Sequence, residues 1–117
     1  MSQSGRQEVR MDHVLTVLLG DSVDSVCGRM SRHATRCAVV ISEAGVLAGV
    51  FTPWDAVRAV AAGAGATPVR TVMTRHPVTL PPGAGDGEAI RLMREGGFSH
   101  LPVVSQGHVT AVVAACS

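Results

Sequence analysis

Apolar positions along this chain fall into short continuous runs and into runs with helical spacing, and their order predicts a mixed α+β fold. Continuous runs rich in β-branched residues predict buried strands. Apolar residues spaced by three or four, such as Val23, Val26 and Met30, predict helices with one apolar face. The predicted strands are 13–17, 37–41, 46–51, 76–80, 100–104 and 108–113, and the predicted helices are 23–32, 53–62 and 88–95, with a short helical turn at 69–74.

This pattern occurs twice. Residues 13–17 match residues 76–80 at an offset of 63, and residues 45–51 match residues 107–113 at an offset of 62. Each unit reads β-α-β-β-α, with the last helix missing from the second unit. Because neither unit is long enough to bury a core alone, we expect the two to pack about a pseudo-two-fold axis, with two related clefts between them. The predicted division is a disordered N-terminus at 1–8, a first repeat at 9–65 and a truncated second repeat at 66–117.

Composition narrows the range of functions. A net charge of +1 gives no electrostatic basis for binding nucleic acid or an anionic membrane. All ten basic residues are arginine, and neither lysine nor tyrosine is present, which excludes Schiff-base chemistry. The sequence shows no nucleophile–base pair, paired carboxylates or metal-ligand spacing, so we expect neither an enzyme nor a metal site. With no signal-peptide pattern and no apolar run near ~18 residues, we expect a cytoplasmic protein.

Candidate chemistry concentrates in residues 49–55, with the sequence Gly-Val-Phe-Thr-Pro-Trp-Asp. Thr52 is a preferred helix N-cap, Pro53 suits the first helical position, and Asp55 lies in the first turn, where the helix dipole favours negative charge. A hydroxyl and a carboxylate beside free backbone N–H groups could hold a phosphate and a sugar diol. The alternative is a capping box alone, with Asp in place of the usual Glu. Trp54 is expected to be a partly buried anchor beside this junction.

Taken together, these segments resemble a tandem pair of CBS domains, the regulatory module also called a Bateman module. The resemblance runs from about Val9 to Ser117. It is carried by the junction at 49–55 and by three segments of the second repeat, Val-Arg-Thr-Val-Met-Thr at 69–74, Ala-Ile-Arg-Leu-Met at 89–93 and His-Leu-Pro-Val-Val at 100–104. Modules of this family commonly bind AMP, ADP, ATP or S-adenosylmethionine as regulatory ligands, with no obligatory cofactor.

The resemblance implies one competent cleft. Asp55 would bind the ribose hydroxyls, Thr52 would help to hold phosphate, and the backbone of Val78 and Thr79 would contact the adenine edge. Basic side chains would add charge near the phosphates, although Arg36 could equally be a solvated charge at a strand edge. The full set of expected ligand-binding residues is Val50, Thr52, Asp55, Arg36, Val78, Thr79, Phe98, Ser99, His100 and Pro102.

The second cleft departs from the family pattern. At the offset of 62, Thr52 corresponds to Ala114 and Asp55 to Ser117, so the hydroxyl and the carboxylate are both missing. We therefore expect a degenerate site, formed by Leu15, Thr16, Ala114 and Ser117.

The missing last helix leaves apolar surface without a cover. From it we expect a homodimer formed through helices, or by swapped termini, with a separate effector protein as a further expected partner. The alternative function is a structural or dimerisation module with vestigial nucleotide clefts.

Overall fold

The computed structural model describes residues 8–12 and 14–116, and within this part of the chain the repeat pattern is present as seven strands and three α-helices. The strands are β1 Glu8–Asp12, β2 Leu15–Leu18, β3 Ala38–Ile41, β4 Leu47–Phe51, β5 Thr74–Arg75, β6 His100–Ser105 and β7 His108–Cys116. The helices are α1 Val23–Arg32, α2 Pro53–Ala61 and α3 Asp86–Gly96, with a 3-10 turn at Val69–Thr71. The α+β class predicted from the sequence is confirmed.

The strands form two sheets, and each sheet takes a strand from the neighbouring repeat. The first sheet has the order β2-β3-β4-β5 and the second the order β1-β7-β6. Strand β5, which begins the second repeat, pairs with β4 of the first, with Thr74 opposite Val50. Strand β1, at the start of the first repeat, pairs with β7 of the second along its full length. The two repeats are therefore joined by backbone hydrogen bonds as well as by side chains.

Each repeat contributes its own apolar core. The first core contains Val17, Val26 and Phe51, all essentially inaccessible to solvent, and the second is built around Leu101 and Met93. These residues lie on the apolar faces that the spacing predicts for α1, α3 and the strands. The predicted α1 is confirmed from Val23 to Arg32, with the side chain of Ser22 accepting a hydrogen bond from the backbone N–H of Ser25.

Two predicted segments differ from the structure. Residues 76–80 do not form a strand, because Pro77 has no N–H to donate and His76 has a positive φ of 53°. Only Leu80 keeps the parallel pairing, donating to the Pro102 carbonyl and accepting from the Val104 N–H, both at 2.9 Å. The helical turn predicted at 69–74 ends at Thr71, since Thr74 already belongs to β5.

Two predictions concern the N-terminus. Residues 1–7 of the predicted disordered segment lie outside the described residues, as does His13 of the first predicted strand. The strand β1 begins at Glu8 and was not predicted.

The turns of the two β-hairpins meet. Their glycines, Gly45 and Gly107, are repeat equivalents and both have φ of +84°, which a residue with a Cβ rarely adopts. The backbone N–H of Leu47 donates to the carbonyl of Gly107 at 2.9 Å. A ring nitrogen of His108 lies 3.2 Å from the carbonyl oxygen of Ala44. These contacts join the repeats at a third place, away from the pairings of β1 and β5.

Candidate functional site

A cavity of about 920 Å³ lies between the two repeats, beside the start of α2. This volume is near the upper end of the ~300–1,000 Å³ typical of small-molecule sites. Both repeats contribute to its walls. The lining residues are Arg36, Cys37, Val50, Thr52, Pro53, Trp54, Arg58, Thr74, His76, Pro77, Val78, Gly97, Phe98, Ser99, His100 and Pro102.

Most of the residues expected from the sequence are brought together here. Those that line the cavity are Arg36, Val50, Thr52, Val78, Phe98, Ser99, His100 and Pro102. Two do not line it, namely Asp55 and Thr79. Asp55 is 1% exposed, so it lies behind the cavity wall, and its assignment as the ribose ligand stays a prediction. Thr79 is half-buried beside Leu80, the residue that bridges to β6.

The carboxylate of Asp55 is the centre of a hydrogen-bond network. It accepts from the backbone N–H of Thr52 at 3.0 Å and from the Thr52 hydroxyl at 3.2 Å. The hydroxyl of Thr74 lies 3.1 and 3.2 Å from its two oxygens, and the guanidinium of Arg58 forms an ion pair with Oδ1. A buried carboxylate is tolerated only with such partners, and here they come from both repeats.

The network includes the cap that was the alternative interpretation of this junction. α2 begins at Pro53, Thr52 is its N-cap, and Asp55 accepts from the backbone N–H of the cap residue. This is the reciprocal half of a capping box, so the structural role of Asp55 is present. The Thr52 side chain also lines the cavity, with its hydroxyl hydrogen directed at Asp55.

The charged groups on the cavity wall are basic. Arg36 is exposed and has no hydrogen-bond or ion-pair partner among the residues that the structure describes. Arg58 is paired with Asp55, but 63% of its side chain remains exposed. His76 and His100 also face the cavity, and the Ser99 hydroxyl lies 3.1 Å from a ring nitrogen of His100. Such a wall suits an anionic ligand.

Eight lining residues, among them Arg58, Thr74 and Trp54, were not in the set expected from the sequence. Arg58 and Thr74 were not expected at the site. The position of Arg58, three residues after Asp55 on one helix, was a signal for an ion pair that the sequence already contained. Trp54 was expected to be partly buried, which is wrong, because it is 75% exposed. It is the second residue of α2, after Pro53, and its exposed side chain contributes to the lining of the cavity.

The residues assigned to the second cleft lie in a different setting. Ala114 is buried inside β7, where it pairs with both Arg10 and His100, whereas Thr52 follows the end of β4 and caps a helix. Leu15 is buried and Thr16 is exposed on β2. Ser117 lies outside the described residues. The degeneracy of this cleft therefore stays a prediction.

None of the helices in the described part of the chain has the length and apolar character needed to cross a membrane.

Comparison with known proteins identifies the architecture. The family model for the CBS domain matches the chain twice, at residues 7–62 and 69–115. A CBS domain-containing protein of Arabidopsis thaliana is 33% identical over 110 residues, which is 92% of this chain, although the chain spans only 20% of that relative's length. The first solved structure compared is the CBS-domain containing protein ATU1752 of Agrobacterium tumefaciens. It has a TM-score of 0.80 and 28% identity, over 88% of this chain and 79% of its own.

A second solved structure is that of a CBS domain protein of Pyrobaculum aerophilum, complexed with AMP. It has a TM-score of 0.80 and 19% identity, covering 86% of this chain and 79% of its own. At this identity the likeness concerns the fold alone. The two matches of the family model agree with the two βαββ units and with the strands exchanged between them. The chain therefore belongs to the CBS domain family and carries two copies of the domain.

Proposed function

We propose that this chain is a non-catalytic regulatory module that binds an adenosine nucleotide or derivative in the cavity between its repeats. The candidates are AMP, ADP, ATP and S-adenosylmethionine, and binding would signal to a partner protein by a conformational change. The observation that carries this proposal is one wall on which Thr52, Arg36 and Arg58 meet, with the Asp55 carboxylate directly behind it. Hydroxyl, cationic and carboxylate groups at a helix N-terminus are the chemistry that a phosphorylated sugar requires.

The role of the repeats follows from the position of the cavity. Its walls include Thr52 from the first repeat and Ser99 from the second, so a ligand would contact both. A ligand that binds one arrangement of the repeats more tightly than another shifts the population towards it. That is the physical requirement for a sensor, and the structure supports it with a cleft whose two walls belong to different repeats.

A thermal-shift panel tests the proposal. The wild-type chain and the Asp55→Asn variant, which keeps the shape of the side chain, are heated with AMP, ADP, ATP and S-adenosylmethionine. A ligand at 100 times its Kd adds ~2.7 kcal/mol of stability, which corresponds to a shift of several degrees for a domain of this size. Loss of a charge-assisted hydrogen bond in Asp55→Asn should weaken binding roughly tenfold to hundredfold. Arg91→Gln, on the exposed face of α3, is the control and should leave the shift unchanged.

The alternative function is a structural or dimerisation module with vestigial clefts. One observation favours it, since the Asp55 carboxylate is already satisfied by donors from Thr52, Arg58 and Thr74. The same panel separates the two functions. Stabilisation by one compound that is weakened in Asp55→Asn supports the sensor, whereas an unchanged melting temperature with all four compounds supports the structural module.

We further propose one competent site for each chain. Ala114, the repeat equivalent of Thr52, has no hydroxyl and is 1% exposed within a strand. Calorimetric titration with the compound that gives the largest thermal shift should therefore fit a stoichiometry of one. Two equal sites for each chain would contradict the proposed asymmetry.

A homodimer through helices is the third part of the proposal. Trp54, Val57 and Val60 are 75%, 61% and 64% exposed, and their spacing of three places them along one face of α2. An apolar stripe of this kind is unfavourable in water, and a second copy of the chain offers the same stripe in return. Sedimentation velocity at micromolar concentration should give twice the chain mass, and Val57→Glu should give the mass of one chain. A wild-type mass of one chain would contradict the dimer.

A further inference from the structure

The Asp55 carboxylate has no vacant acceptor position for a ligand. A carboxylate accepts about four hydrogen bonds. Four donor hydrogens already point at this one, from the backbone N–H of Thr52, its hydroxyl, the hydroxyl of Thr74 and the guanidinium of Arg58. A sugar diol can therefore donate to Asp55 only if a resident donor leaves.

The resident donors stand between Asp55 and the cavity. Thr52, Thr74 and Arg58 all line the cavity, whereas Asp55 does not. The N–H of Thr52 is fixed by the first turn of α2, and the Thr74 hydroxyl is carried by a backbone that pairs with β4. Arg58 differs from both, because it is a long side chain that is 63% exposed and already in contact with solvent. It is the donor that can be displaced at the lowest cost.

We propose that Arg58 is an exchangeable counter-ion that makes the site select phosphorylated ligands. In the free protein its guanidinium pairs with Asp55. When the hydroxyls of a ligand sugar take its place on the carboxylate, the guanidinium is released into the same cavity and pairs with the ligand phosphate. This inference rests on the proposed function and goes beyond it by assigning the basis of ligand selection to one residue.

Selection follows from the balance of ion pairs. A phosphorylated nucleoside replaces the lost carboxylate partner of Arg58 with its own phosphate, so the number of ion pairs is conserved. A neutral nucleoside breaks the pair and offers nothing in exchange. Arg58 therefore opposes binding of the neutral compound and favours binding of the charged one. Arg36 lines the same cavity without contacting Asp55, so it can favour the phosphate but cannot oppose the neutral nucleoside.

Calorimetric titration with adenosine and with AMP tests whether Arg58 opposes binding of the neutral compound and favours binding of the charged one. The proteins are wild type, Arg58→Ala, Arg58→Gln and the matched control Arg36→Ala, which removes the same charge from the same cavity. Arg58→Ala should bind adenosine about twofold to fivefold more tightly than wild type, as expected for loss of an ion pair whose arginine is largely exposed, and should bind AMP more weakly. Arg58→Gln should change both affinities in the same directions by smaller factors. Arg36→Ala should weaken AMP and leave adenosine unchanged.

The outcomes distinguish this inference from the function on which it rests. If wild type binds AMP but Arg58→Ala gains nothing for adenosine, Arg58 is an ordinary phosphate contact, and the exchange is overturned while the proposed function stands. Equal gains for adenosine in the Arg58 and Arg36 variants would also overturn it, since general charge removal would then explain the effect. If wild type binds neither compound, the inference fails together with binding of this ligand class.

Discussion

The hydroxyl of Thr74 lies 3.1 and 3.2 Å from the two carboxylate oxygens of Asp55, and this contact joins the second repeat to the first at the wall of the cavity. Thr74 is at the start of the second repeat, in a strand of two residues paired with β4. A change at the Asp55 carboxylate therefore acts directly on the strand that connects the repeats. It is a direct contact between the carboxylate behind the cavity wall and the second repeat.

Replacing the Thr74 hydroxyl should weaken that connection. Thr74→Val keeps the shape of the side chain but leaves Asp55 with one donor fewer. We expect the free energy of unfolding to fall by about 0.5–1.5 kcal/mol, measured by urea denaturation. The control is Thr110→Val, whose exposed hydroxyl makes only a 3.4 Å contact with the Val103 carbonyl. Equal effects of the two substitutions would argue against a special role for the Thr74 contact.

Gly49 should be needed for β5 to dock on β4. A Cβ at this position would lie 2.6 Å from the Thr74 carbonyl oxygen and 2.8 Å from the Met73 sulfur. Gly49→Ala should therefore destabilise the chain by about 1–3 kcal/mol, as overpacking does. Gly87→Ala is the matched control, because a Cβ there meets nothing within 4 Å, and it should stabilise α3 by up to about 1 kcal/mol. Thermal denaturation of both variants checks the opposite signs.

Two leucines allow a matched test of the second core. Leu101 is fully buried in β6, whereas Leu18 is 45% exposed at the end of β2. Leu101→Ala should cost about 2–5 kcal/mol, a large part of the ~5–15 kcal/mol that stabilises a typical domain. Leu18→Ala should cost about 1 kcal/mol or less. Urea denaturation of the two variants measures the difference, and similar costs would mean that the second core is wrongly placed.

The thiol of Cys27 should react slowly. Burial, and to a smaller extent the negative charge of Asp24, raise its pKa above the ordinary value. Because the thiolate is the reactive form, alkylation by iodoacetamide at pH 8 should be slower than for an unperturbed cysteine. Asp24→Asn removes the repelling charge, so the midpoint of the pH–rate profile should move to lower pH. Peptide mass spectrometry follows the reaction at this residue.

The control for the cysteine experiment is Glu43→Gln. Glu43 is exposed in the turn between β3 and β4, and its charge does not contribute to the raised pKa of Cys27. Its removal should leave the profile at Cys27 unchanged. A midpoint that stays in place or rises in Asp24→Asn would contradict the assigned electrostatic cause.

The elements of the fold were largely predictable because local spacing determines them. The apolar face of α1 and the continuous apolar run in β3 are visible in the sequence, and both elements were predicted within one residue. The sequence repeat predicted that the two halves pack against each other. The strand predicted at 76–80 was wrong. The match to the first repeat indicated a strand there, but Pro77 has no N–H to donate to one. Strand β1 was missed because its residues are mostly polar, and its partner lies about one hundred residues away.

The residues of the candidate site were only partly predictable from the sequence. Residues within the motifs, such as Thr52 and Ser99, were placed at the cavity by the resemblance. Thr74 was not, because its contact with Asp55 depends on the pairing of β5 with β4, which no local pattern encodes. The burial of Asp55 likewise could not be predicted from the sequence, since it results from side chains that converge from two repeats.

The exchange of β1 and β5 between the repeats has a consequence for synthesis on the ribosome. When the first repeat has emerged, β1 has no partner, because β7 follows it by about one hundred residues. The nascent chain therefore carries an open edge until β7 has also emerged, and such edges pair readily with other chains. The second sheet closes only after β7 has emerged, so the pairing of a strand that is far from the cavity motif in sequence completes the native fold.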